Sequence, residues 1–296
     1  MRKGSFLLLA AGALLAIPMI ANAQAPGAPK VLLIVREDIK TGKMAPHAGE
    51  ANNTVQIWAK AKSPYHRLAM TPVAGNENEV TYLWPFESFA ALEKSGRDLD
   101  EMASGQYKAD FDRVQNRGED YHAAQRDSIA VLRDDLSYRP GADIAHMRFM
   151  RVETIRVKPG QARAWEDARK MVKLAHEKAN IDESMAIYQV VGGTQAGTYI
   201  TFIPWKSLDG LATLPHGKNY QDAMGEDNMK KVDKMYEESI TFDEISVYAF
   251  NPQLSYLSAE MVAQDPGFWT FKPMPMPGGQ VLAEKRVPAK GIKPQR

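Results

Sequence analysis

The chain has 296 residues, 44% of them hydrophobic and 25% charged, with a formal charge of +1 and no cysteine. That length and apolar content suffice for one large or two small domains with a sizeable core. The near-neutral charge gives no electrostatic reason to expect nucleic acid or an acidic lipid surface as partner, and the lack of cysteine excludes disulfides, thiolate metal ligands and cysteine nucleophiles.

The first residues read as a secretory signal peptide, 1–23. Arg2 and Lys3 are basic, Phe6–Ile20 is an apolar run, and Ala21-Asn22-Ala23 is a small-x-small cleavage site before Gln24. The run is shorter than a bilayer span needs and Pro18 interrupts it, so no stable membrane anchor is expected after cleavage. The expected location is the bacterial periplasm or the medium, and the cleaved chain loses two basic residues. Residues 24–30 read as a linker.

The next stretch carries two similar segments. "REDIKTG" leads to Gly42 and "TIRVKPG" to Gly160, each followed by a helical pattern. Thr81-Tyr82-Leu83 is echoed by Thr198-Tyr199-Ile200, Gly75 by Gly193, and Leu136-Ser137-Tyr138 by Leu254-Ser255-Tyr256. The near-constant offset indicates an internal duplication, with repeat 1 at 31–140 and repeat 2 at 141–257.

Each copy starts with a strand, Val31–Ile39 or Met150–Val157. A helix follows, with Met44, Ala48, Ala51, Val55 and Trp58 on one face in copy one, and Trp165, Ala168, Val172 and Ala175 in copy two. Two strands come next, His66–Val73 with Glu79–Trp84, and Met185–Val191 with Thr198–Ile203, joined by the turn-rich "AGNENE" and "GGTQAG". A second helical region is expected near 86–115 and 207–238, and a last strand near 129–132 and 245–250. This order is the β-α-β-β-α-β ferredoxin-like unit. Its sheet leaves one apolar face open, which two tandem copies can cover for each other. The expected fold is therefore α+β: two ferredoxin-like repeats packed sheet to sheet as an intrachain α/β barrel.

"VETIRVKPGQARAWEDARKMVKL" followed by "TYITFIPWKSLDGL" resembles the dimeric α/β-barrel superfamily, with its NIPSNAP-like, antibiotic-biosynthesis-monooxygenase-like and stress-responsive members. The resemblance spans both repeats and is weaker in copy one, which lacks the Pro of "KPG". It implies a barrel, and it leaves function open among cofactor-free oxygenases, haem enzymes, isomerases and proteins of other roles.

No local motif supplies chemistry. There is no G-x-S-x-G, no phosphate loop and no H-E-x-x-H, and His47 with Glu50 offers only two metal ligands, so no metal site is assigned. Candidate ligand-binding residues come from asymmetry between the copies. Arg151 and Glu153 stand where copy one has Leu33 and Val35; should that strand face line the barrel, they make its interior polar, and Tyr188 and Tyr199 add hydroxyls. His176, beside the buried stripe of its helix, is a candidate proton carrier or axial haem ligand. Trp165 is a candidate for stacking on a planar ligand, against the reading of plain packing. His66 begins a strand that can face the barrel, and His216 lies on a loop.

Three functions remain open at this point. The first is a binding module for a small apolar or aromatic molecule held between the sheets. The second is a monooxygenase-like enzyme, cofactor-free or haem-dependent, with Arg151, Glu153 and His176 as catalytic candidates. The third is an interaction protein that docks a partner through Phe268, Trp269 and Phe271 of a C-terminal extension, 258–296, whose Pro-rich basic part from 272 is expected to be disordered. Duplication within the chain allows a monomer as well as a homodimer.

Overall fold

A computed structural model describes residues 27–118, 120–213 and 217–270. The expected signal peptide, His216, Phe271 and the Pro-rich tail lie outside these residues.

The first half runs β1 (Val31–Ile39), α1 (Met44–Ala61), β2 (Leu68–Ala74), β3 (Glu79–Phe86), α2 (Phe89–Ser104), α3 (Lys108–Gly118) and β4 (His122–Leu132). The second runs β5 (Phe149–Val157), α4 (Ala162–Ala179), β6 (Ala186–Gly192), β7 (Thr198–Trp205), α5 (Lys218–Met224), α6 (Glu226–Ser239) and β8 (Ile240–Phe250). Two short helices, α7 (Ala259–Gln264) and α8 (Pro266–Trp269), follow. The eight strands form one closed antiparallel barrel in the order β1-β3-β2-β8-β5-β7-β6-β4. The seams between the halves are β2–β8 and β4–β6, so neither sheet keeps an open edge.

Side-chain alternation assigns the two faces of the barrel. Leu32, Ile34, Met70, Leu83, Met150, Val152, Tyr188, Ile200, Phe202, Tyr248 and Phe250 pack inside the lumen. The alternate positions face the helices in two outer layers. Val31, Val80, Tyr82 and Trp84 pack with Trp58 of α1; Ile155, Val157, Tyr199 and Ile203 pack with Trp165, Ala168 and Val172 of α4. Strand β7 is buried along its whole length because it has apolar neighbours on both sides, which erases the in–out alternation a sequence reader looks for.

Several boundaries differ from the sequence reading. The second helical regions are each broken, at Gly105 between α2 and α3 and at Gly225 between α5 and α6, where φ is +78° and suits glycine. The last strands extend back to His122 and Ile240, because their polar first halves pair fully with β1 and β5 while leaving their side chains exposed. His66 precedes β2 rather than starting it, and its ring packs on Tyr256, 5.1 Å away, outside the lumen.

Arg133, just past β4, ties the halves together. It donates to Glu166 of α4 at 2.6 Å and pairs with Asp135 at 2.8 Å. The Arg133 hydrogen bond, opposed by partial burial and assisted by Tyr199, holds the Glu166 carboxyl below its ordinary value. A folded-state pKa below the unfolded one contributes stability that is present above the ordinary carboxylate range and lost as the pH falls through it. Arg133→Ala is therefore expected to lower the urea midpoint clearly at about pH 7 and much less at about pH 3; equal losses at both values would contradict the assignment.

Candidate functional site

The residues singled out from the sequence do not meet in one pocket. Arg151 and Glu153 alternate with the luminal Met150 and Val152, so they point to the helix-side layer, where they pair at 3.3 Å. Tyr199 is also on that layer; its ring packs on Trp165 at 4.0 Å and its hydroxyl donates to Glu166 at 3.0 Å. Trp165 is thus core packing between α4 and the sheet. Tyr188 alone among them is luminal, donating to the Pro29 carbonyl at 2.8 Å.

His176 does not fit a haem. It is 1% exposed, its Nδ1–H donates to the Val172 carbonyl at 2.8 Å, and its Nε2 faces Glu183 at 3.6 Å. Tyr138 and Tyr220 flank the ring at 5.3 and 5.0 Å. A porphyrin needs an open plane beyond the liganding nitrogen, and this layer is filled.

The lower lumen is filled as well. Trp269 of α8 inserts into it beside Phe250, with its indole N–H donated to the Ala145 carbonyl at 2.8 Å. Phe268 lies under the Arg148 guanidinium at 4.0 Å, and Arg148 pairs with Asp265. Of the aromatic residues expected to dock a partner, Trp269 and Phe268 cover the apolar end of their own barrel, where the lumen would otherwise expose Phe250 and Met150 to water.

The opposite end is open and polar. A cavity of about 320 Å³ has Arg36, Arg126, Asp127, Arg156, Ile200, Phe242 and Glu244 in its lining, with the β6–β7 hairpin on its rim. Register explains the convergence. Arg36 of β1 pairs directly with Arg126 of β4, and Arg156 of β5 pairs with Thr198 and Phe242. All three arginines share the luminal parity of Ile34 and Val152. Arg126 is engaged by Asp38 at 3.0 Å and Glu79 at 3.4 Å. Arg36 and Arg156 instead donate to hydroxyls, Thr154 and Thr241, each at 3.4 Å. Their guanidinium forks therefore have donor capacity that no carboxylate among the described residues takes up. Beneath them, the Tyr248 hydroxyl and the Thr81 hydroxyl donate to Glu79 at 2.7 and 3.1 Å. Burial, then the Glu79 charge, pushes the Tyr248 phenol up to about 12.

These arginines were missed in the sequence. They lie on polar ends of strands, far apart in the chain, and only ring closure brings them together. The one available signal was an Arg at a luminal parity in both first strands. Among the described residues, one group can hold a metal ion: Glu37, His47 and His122, on the outer layer of the first half.

No protein-family model matches the chain, and no curated protein matches it. Solved structures similar to it include a candidate monooxygenase from Lactobacillus acidophilus, 10% identical, with 75% of this chain and 94% of that one covered and a TM-score of 0.48. An anthrone oxidase-like protein gives 10% identity, 75% and 92% coverage and a TM-score of 0.48. A mutant chlorite dismutase from Candidatus Nitrospira defluvii gives 7%, 80%, 95% and 0.45. Among the described residues no helix is long and apolar enough to cross a membrane.

Proposed function

We propose that the chain binds a small organic anion, an aromatic or apolar carboxylate, in the open mouth of its barrel. The observation that carries this is the convergence of Arg36, Arg126 and Arg156 on a cavity whose wall also offers Ile200 and Phe242. Carboxylates match the planar fork of arginine and gain charge-assisted hydrogen bonds there. Ile200 and Phe242 give a ring something to lie against. This narrows the apolar ligand expected from the sequence: the apolar part of the lumen is occupied by side chains, and the space left has three arginines in its wall against two carboxylates, Asp127 and Glu244.

Titration calorimetry with benzoate tests the reading, with benzyl alcohol as its neutral counterpart. Benzoate is expected to bind one per chain and benzyl alcohol much more weakly. Arg36→Ala and Arg156→Ala should each weaken benzoate by about tenfold or more, the value of one charge-assisted hydrogen bond. Equal binding of the two compounds, or variants that bind benzoate unchanged, would overturn it.

An enzymatic reading is favoured by a single feature, the Tyr248–Glu79 pair below the mouth, which places a proton donor beneath a bound carboxylate. Tyr248→Phe that binds benzoate normally but loses turnover of a converted substrate would support it; turnover unchanged in that variant would remove it.

We also read the chain as a tandem duplication of a ferredoxin-like unit. Strands β1, β2 and β4 and helix α1 recur as β5, β6, β8 and α4 with the same lengths. Equivalent positions such as Arg36 and Thr154 are 118 residues apart. A half-chain, residues 141–270, that stayed monomeric with its luminal face exposed would argue against it. Export to the periplasm or medium is the location we propose, and a recovered protein whose first residue is not Gln24 would contradict the cleavage site.

A further inference from the structure

A second cluster of chemistry lies on the other side of β1, away from the mouth. Glu37 sits on the helix-facing side of β1, His47 in the first turn of α1 and His122 at the first position of β4. The Nε2 atoms of both imidazoles converge on one carboxylate oxygen, Glu37 Oε2, at 2.8 Å for His47 and 3.3 Å for His122. One donor atom from each of the three residues falls within 4.8 Å of the others. Two donors bonded at about 2.1 Å to one ion stand about 3.0 Å apart in cis-octahedral and about 3.4 Å apart in tetrahedral geometry. The two distances here already lie near that range.

Hydrogen bonding alone does not account for the arrangement. The Nε2 of His122 is buried 3.3 Å from the carboxylate, a long contact, and among the described residues it has no other partner. The ring of His47 is buried too, and its Nδ1 lacks a partner among the described residues. Buried polar atoms left unsatisfied cost free energy. The fold does not require that cost at this place. The corresponding positions of the second half, on β5, α4 and β8, hold Ile155, Trp165 and Ile240, which pack as plain core. Apolar residues at such a place are commonly neutral or stabilising. Glu50, the partner that spacing alone gave His47, is turned instead to Arg117 at 3.2 Å. The approach is from the His122 side, whose side chain is 29% exposed.

We propose that Glu37, His47 and His122 form a binding site for one divalent first-row transition-metal ion. Two imidazoles and one carboxylate supply three ligands and leave the remaining positions to water, on the side where His122 meets solvent. The site lies on the outer layer of the first half, in a layer separate from the barrel mouth, and stands or falls apart from the anion reading.

Cobalt(II) is the probe. The full chain is stripped with chelator, then titrated with Co²⁺ while the visible absorbance and the bound metal after dialysis are followed. One Co²⁺ per chain is expected, with a visible band, and Zn²⁺ should displace it. His122→Ala should weaken Co²⁺ at least tenfold, whereas His146→Ala, an exposed histidine elsewhere, should leave binding unchanged. Should His122→Ala fail to fold by circular dichroism, His122→Gln replaces it with the same expectation. Wild-type protein that takes up no stoichiometric Co²⁺, or a folded His122 variant that binds it as tightly as wild type, overturns the site.

Discussion

Trp269→Ala is expected to cost about 3–5 kcal/mol of stability, the range for truncating a buried large aromatic side chain. Trp269 is 5% exposed and fills the lower lumen against Phe250. Removing it leaves a cavity that the strands cannot collapse around, because their separation is fixed by the hydrogen bonds of a closed barrel. It also leaves the Ala145 carbonyl, which accepts from the indole N–H, without that partner. Helices α7 and α8 are short and have little internal stability, so their hold on the barrel depends on this anchor. Urea unfolding measures the loss. A change under about 1 kcal/mol would mean that the C-terminal segment is an accessory to the barrel rather than its floor.

Gly193→Ala should be similarly severe, and more so than Gly75→Ala at the matching hairpin of the first half. Both glycines have positive φ, +92° and +135°, so alanine strains either backbone. The neighbours differ. A Cβ on Gly193 would overlap the Asp127 carbonyl oxygen and come within 2.7 Å of Ser128 Cα, both backbone atoms of β4. A Cβ on Gly75 would meet the Ser246 side-chain oxygen at 2.9 Å, which can rotate away. The clash at Gly193 falls on the β4–β6 seam, which pairs only from Ile129 to Leu132. Pushing that hairpin outward opens the barrel there. A loss of about 3–5 kcal/mol for Gly193→Ala, against about 1–2 kcal/mol for Gly75→Ala, is expected from thermal and urea unfolding. Equal effects would show that backbone strain alone, and not seam closure, sets the cost.

The architecture was legible because it is written in periodicity. The helix stripes of Trp165, Ala168 and Val172, the Gly-rich hairpins and the recurring Leu-Ser-Tyr segments each give a local pattern, and together they require a sheet face to be covered. The direction of the first-strand side chains was not legible. In the second half, Arg151 and Glu153 interrupt the apolar series on the helix side, and sequence alone does not separate a half-buried ion pair under helices from a polar lumen. Strand β7, apolar on both faces, removes the alternation that would have settled the matter. The polar first halves of β4 and β8 look like loops, since their strand character comes from pairing rather than from side-chain burial. Long-range convergence was hidden for the same reason. Arg36, Arg126 and Arg156 come from three strands and both halves, and Glu37, His47 and His122 from three elements, with no short spacing to mark either group.

Crystals grown with 4-bromobenzoate and measured at the bromine edge test the anion-binding mouth most directly. The bromine is expected near Ile200 and Phe242, with the carboxylate held by the guanidinium groups of Arg36 and Arg156. Bromine signal confined to other surfaces, with the mouth filled only by solvent at a concentration that saturates the protein in solution, would contradict it.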